Sequence, residues 1–221
     1  MGRHDWYRNT TWTEDIRKAF FDRLGRSRTT YNKAQYARIQ ASYLQKTGKK
    51  KHIRAAIKLL DLMIEQWPEP TELSSAYLQK ALCFEDLGMN KPAIEAYRKS
   101  VKVEEENKKK MVGAWLHFGW FVIAHGLKKY YDEVLLSIQN NETLKQMAPF
   151  LIWPIYQYKY SAIFAIILKS KGETEAAQRF AVRALEAMGT KESPFRYHKK
   201  EGLIIKPNKR VVKQLKKIAS G

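Results

Sequence analysis

"ALCFEDLGMNKPAIEAY" (residues 81–97) places apolar residues three and four apart on both sides of a single glycine. Ala81 and Phe84 precede Gly88; Ala93 and Tyr97 follow it. That spacing sets side chains on one face of an α-helix. Glycine ends helices readily, because it enters the left-handed backbone region without a Cβ clash. The stretch therefore reads as helix, turn, helix.

The same pattern recurs along the chain. Glycines 48, 126 and 172 stand at comparable breaks, and successive intervals in the set of four are 40, 38 and 46 residues. An amphipathic stretch follows each: "IRAAIKLLDLMIEQWP" (53–68), "PAIEAYRKSVKVEEE" (92–106), "KYYDEVLLSIQ" (129–139) and "TEAAQRFAVRALEAM" (174–188). A further helix is expected before each glycine. No run alternates Val, Ile or Thr as a strand would. The spacing predicts an all-α chain of about four helix–turn–helix units, each exposing an apolar face that its neighbour covers.

These residues resemble the tetratricopeptide repeat, whose first helix carries W-x2-L-G-x2-Y and whose second carries A-x3-F-x2-A before a proline. Trp115, Phe118, Gly119 and Val122 fit the first helix, followed by Gly126, Leu135 and Ile138; Tyr131 replaces an expected small residue. The unit from Ser74 supplies Tyr77, Ala81, Phe84, Gly88, Ala93, Tyr97 and Ser100. The last, from Tyr158, supplies Ala165, Leu168, Gly172, Ala177, Ala181 and Ala184. The first is looser, with Ala56, Leu60, Met63 and Pro68, and its turn "TGKKKH" (47–52) reads about three residues too long for the pattern. The long final interval, with Pro149 and Pro154, predicts an irregular or lengthened helix there. The resemblance implies a right-handed solenoid of antiparallel helix pairs over residues 35–190. A basic segment with one helix (1–34) precedes it, and a basic segment with a short amphipathic helix (191–221) follows.

The resemblance further implies a concave surface lined by the first helices. Carried across by register, Ser75, Leu78, Leu82 and Glu85 face it in one unit, Gly113, Leu116, Trp120 and Ile123 in the next, and Lys159, Ala162, Ile166 and Lys169 in the last. The partner groove is therefore expected to centre on Leu78, Leu82, Leu116, Trp120, Ile123 and Ile166. Such an apolar surface calls for a cover: a partner's amphipathic helix, or the protein's own terminal segment.

The net charge of +19 is unevenly distributed. Residues 1–60 carry +11 and residues 191–221 carry +8, while the middle is neutral. Lys49, Lys50, Lys51 and Arg54 read as a basic inter-helix loop. Arg17, Lys18, Arg23, Arg26 and Arg28 precede the array, among the aromatics Trp6, Tyr7, Trp12, Tyr31 and Tyr36. Lys209, Lys213, Lys216 and Lys217 lie opposite Val211, Leu215 and Ile218 on a helix that Pro207 and Asn208 start. That helix reads both as a cap for the last repeat and as a charged surface. Basic ends steer an acidic partner, or neutralise phosphates while aromatics stack on bases. The run "EEENKKK" (104–110) reads as a solvated helix end.

Catalysis has little support in the sequence. Histidines 4, 52, 117, 125 and 198 form no metal-ligand spacing, since His117 and His125 are two turns apart. No phosphate-cradling glycine loop or nucleophile elbow is present. "SPFRYHKKEGLI" (193–204) is the one non-repeat stretch that looks specified, with Arg196, Tyr197 and His198 as a candidate polar site. Neither cofactor nor metal is expected. Residues 111–127 are too short for a membrane span, and 148–168 are interrupted by Pro149, Pro154, Gln157 and Lys159. The N-terminus lacks the apolar run of a secretory signal. The single cysteine, Cys83, reads as a small buried residue in a reducing, cytoplasmic setting. The expected function is a non-enzymatic adaptor for another protein, acidic or presenting an amphipathic helix. The alternative is a nucleic-acid-binding module using the basic ends.

Overall fold

The structure, a computed structural model, describes residues 5–107, 112–139, 152–195 and 197–221. Among the described residues it is helical with no strand: α1 (Glu14–Gly25), α2 (Thr30–Lys46), α3 (Lys50–Gln66), α4 (Pro70–Asp86), α5 (Asn90–Glu106), α6 (Ala114–His125), α7 (Tyr131–Gln139), α8 (Pro154–Ser170), α9 (Thr174–Gly189) and α10 (Lys209–Ala219). The helices pack as neighbouring pairs, α2 on α3, α4 on α5 and α8 on α9. No helix among these residues is long and apolar enough to cross a membrane. The chain divides into two compact units, Met1–Ala114 and Trp115–Gly221. The basic N-terminal segment thus belongs to the first unit and the C-terminal helix to the second.

In the first unit α2 to α5 are each 17 residues long. Three-residue connections separate them, so the repeat is 40 residues, about six longer than the tetratricopeptide unit. All four glycines found by spacing have positive φ, from 66° to 85°, and sit at the hairpin turns. At Gly88 the amides of Gly88 and Met89 donate to the carbonyls of Glu85 (2.9 Å) and Phe84 (2.9 Å). These crossed bonds satisfy carbonyls that the helix end would leave open. Gly126 and Gly172 repeat the arrangement.

The α2–α3 turn differs. Gly48 still donates to Gln45 O (3.0 Å), but the Thr47 hydroxyl donates to Leu44 O (2.8 Å) and accepts from the Lys49 amide (3.3 Å). A side chain thereby replaces the second backbone bond. This turn is no longer than the others, contrary to the sequence reading. Lys50, Lys51 and Arg54 are not loop residues either, because α3 already begins at Lys50.

The α4–α5 hairpin is also fastened at its far end. Ser74 Oγ donates to Ser100 O (3.1 Å) and Ser100 Oγ to Ser74 O (2.7 Å), both residues being buried. Small side chains let the two backbones approach, and the reciprocal bonds leave neither hydroxyl orphaned. Glu104 overturns the expectation of a solvated acidic run. It is 2% exposed and accepts from the amides of Val112 (2.5 Å), Gly113 (2.8 Å) and Ala114 (2.8 Å), the last residues of the first unit. Burial outweighs these donors and holds its carboxyl above the usual range. The lysines of that run, 108–110, lie outside the described residues.

The N-terminal segment is tied down by a polar clamp. Gln40, fully buried in α2, accepts from the Asn9 amide (3.0 Å) and side chain (2.9 Å) and donates to Asn9 O (2.7 Å). Tyr7 stacks on Tyr36 at 4.6 Å, and Trp6 packs on Phe20 at 5.6 Å. Most of the aromatics considered for base stacking therefore serve the core; Tyr31 is 42% exposed.

In the second unit α8 is again 17 residues long and starts at Pro154, so it is not lengthened as expected. Pro149 falls outside the described residues. Val211, Leu215 and Ile218 of α10 are buried on α8 and α9, and Asn208 Oδ1 caps the helix by accepting from Arg210 N (3.0 Å) and Val211 N (3.1 Å). The amphipathic stripe read from sequence is thus a seal on the final hairpin. In α6, Gly119 marks a close crossing. A Cβ there would stand 2.9 Å from Ile163 Cδ1 and 3.1 Å from Val134 Cγ1.

Gly119→Ala is expected to destabilise the protein by about 1–3 kcal/mol in urea titration, since the buried Ile163 and Val134 must give way. Gly189→Ala, in the same unit with open space around it, should leave stability unchanged or raise it by up to about 1 kcal/mol.

Candidate functional site

One opening of the first unit lies between α2 and α4, the first helices of two successive hairpins. It is a cleft of about 700 Å³. Ser75, Leu78 and Leu82, three of the four register positions read for this unit, line it. Leu78 is 9% exposed and Leu82 half-buried. The fourth, Glu85, instead accepts the Tyr97 hydroxyl at 2.9 Å, and burial beside that carboxylate pushes the phenol well above its ordinary value.

The opposite wall was not read from sequence, because the looser first unit gave no register for α2. It supplies Arg38, Ser42, Gln45 and Lys46. Arg38 pairs with the buried Glu72, and Gln45 Nε2 donates to Asp86 at 3.0 Å across the cleft. The cleft thus joins an aliphatic strip from α4 to amide, hydroxyl and charged groups from α2. Such mixed lining provides both apolar pockets and main-chain hydrogen-bond partners for a peptide.

In the second unit the predicted groove residues separate by burial. Leu116 and Ile123 are 1% exposed and Ile166 5%, so their side chains are enclosed. Trp120 is half-buried, against Tyr158 at 5.3 Å and with Lys159 Nζ 5.6 Å from its ring. Trp115, Phe118 and Val122 are enclosed as the repeat register implied. All eight basic-cluster residues, Lys49, Lys50, Lys51, Arg54, Lys209, Lys213, Lys216 and Lys217, are exposed. Lys51 and Arg54 meet Arg17 and Trp12 of the N-terminal segment around a second cleft.

Among the described residues no group of three His, Cys, Asp or Glu is placed to hold a metal. His52 bonds to Thr47 Oγ1 at 3.0 Å, and His125 Nδ1 lies 3.0 Å from Phe121 O. The 193–204 stretch folds over the start of α8: Phe195 packs on Trp153 at 4.2 Å, and the Ile155 amide donates to Gly202 O at 2.8 Å. Tyr197 is 85% exposed, His198 is exposed, and Arg196 lies outside the described residues. The described contacts of this segment include ring packing and a Ser193 Oγ bond to Glu201 O at 2.7 Å.

Comparison with protein-family models, characterised proteins and solved structures finds no match to this chain.

His117, half-buried, is pushed down to about 3 by burial and by the Lys159 ammonium. The unfolded chain takes up this proton near the ordinary value of 6.5, so the neutral ring's contribution is full above that value and lost as pH falls toward 3. Between about pH 7.5 and about pH 5, chemical denaturation should show wild type losing about 1–2 kcal/mol more than His117→Gln.

Proposed function

We propose that the chain is a non-enzymatic adaptor that holds a segment of another protein in the α2–α4 cleft. The observation that carries this reading is the coincidence of register and opening: Ser75, Leu78 and Leu82 line one open cleft beside polar groups of α2. The tetratricopeptide resemblance supports it through the glycine turns and small residues at the helix crossings. A right-handed solenoid belongs to the same proposal, favoured by two consecutive hairpins of equal length. The 40-residue repeat is a departure that makes each hairpin longer than the family's unit. A cytoplasmic setting is also part of it, favoured by the single buried cysteine. Within the first unit, the exposed Lys49, Lys50, Lys51 and Arg54 add positive charge that attracts an acidic partner.

Affinity capture with the full chain, repeated after nuclease treatment, tests the reading. Captured proteins should persist after nuclease, and Ser75→Trp, which fills the cleft, should reduce their binding at least about tenfold at unchanged melting temperature. Loss of all partners on nuclease treatment would instead favour a nucleic-acid-binding module working through the basic clusters.

A further inference from the structure

We propose that a second cleft of the first unit, between α1 and α3, docks an acidic amphipathic helix of a partner protein. The cleft measures about 660 Å³ and shares no lining residue with the α2–α4 opening. The inference is independent of the adaptor reading, because neither cleft's occupant is needed to form the other.

The chemistry is written in two parallel stripes on α3. Lys51, Arg54 and Lys58 occupy positions i, i+3 and i+7, covering about 10 Å of helix. All three are exposed and make no ion pair among the described residues. Beside them Ala55, Leu59 and Leu62 repeat at i, i+4 and i+7 and form an aliphatic floor. From the N-terminal segment, Trp12 and Phe21 extend that floor and Arg17 adds a fourth cation. The lining holds one carboxylate, Glu14, which lies 3.8 Å from Arg17, both being exposed.

A helix carrying carboxylates at i, i+3 or i+4, and i+7 next to an apolar stripe matches both features at once. The fold itself does little to balance this charge. The first turn of α3 has no acidic residue, and Lys49 at its N-cap position makes no side-chain capping bond. Cations there face the positive end of the helix dipole. An acidic occupant relieves that repulsion.

Nucleic acid fits the floor less well. Trp12 and Phe21 are half-buried and turned edge-on to Phe20, at 5.5 Å and 62° and at 5.3 Å and 75°. The rest of the floor is aliphatic, which suits leucine side chains better than stacked bases.

The test uses the full-length protein and fluorescence anisotropy at physiological salt. The probe is a labelled helical peptide of Glu and Leu, with carboxylates on one stripe and leucines on the next, and the control is its scrambled sequence. The patterned peptide is expected to bind at least about tenfold more tightly than the scramble. Arg54→Glu/Lys58→Glu should weaken it by at least about tenfold, and Arg54→Gln/Lys58→Gln by a smaller factor. Leu82→Ala, in the other cleft, should leave it unchanged, so failure here is distinguishable from failure of the adaptor reading. Circular dichroism melts check each variant; if the charge reversal does not fold, the neutral pair decides. Equal binding of patterned and scrambled peptides would overturn the proposal. So would insensitivity to the α3 substitutions, or tighter binding of a thymidine oligonucleotide that competes with the peptide and depends on the same cations.

Discussion

A helix that must double back within three residues leaves carbonyls at its end with no intrahelical partner. That constraint shapes the α2–α3, α4–α5 and α8–α9 hairpins. Glycine in the left-handed region brings its own amide and the next one back onto those carbonyls, as at Gly88, so the turn closes tightly enough for the next helix to lie along the first. Once the turns are short, the crossings must accommodate close backbones. Ala81, Ala93 and the Ser74–Ser100 pair do so in the α4–α5 hairpin, and Gly119 does so in α6.

Equal helices joined by equal turns also decide where openings fall. In the first unit α2 stands beside α4 and shares a cleft with it, and residues of α1 and α3 line another. The two clefts differ in character because their walls differ. One combines amides and hydroxyls with leucines. The other combines the cations of α3 with an aliphatic and aromatic floor. Helices supply most of the lining of each, which suits recognition by rigid surfaces with little ordering cost.

The fold was legible because its main determinants are local. Glycine spacing marked the four turns, and apolar periodicity marked the helices and the stripe Val211, Leu215 and Ile218. Less legible were features decided by distant backbone. Lys50 and Lys51 look like loop residues because cations and a missing cap disfavour a helix start, yet packing of Ile53, Ala56 and Leu60 carries α3 through them. Glu104 looks solvated among three consecutive acids, but amides eight to ten residues onward claim it. The candidate site was half readable. α4 announced its groove positions through the repeat register, while α2, with a weak pattern, concealed the polar wall.

Cys83 gives the first unit a private clock. It is the only cysteine of the chain, fully enclosed within α4, and burial and the nearby Asp86 carboxylate push its thiol up to about 12. Only the thiolate reacts with alkylating reagents, so the closed form is inert on both counts. Labelling must wait until the hairpins around α4 part, and its rate under native conditions then measures that opening. The second unit, without a thiol of its own, contributes no signal. The breathing of one half of the molecule can thus be timed with an alkylating reagent and no mutation.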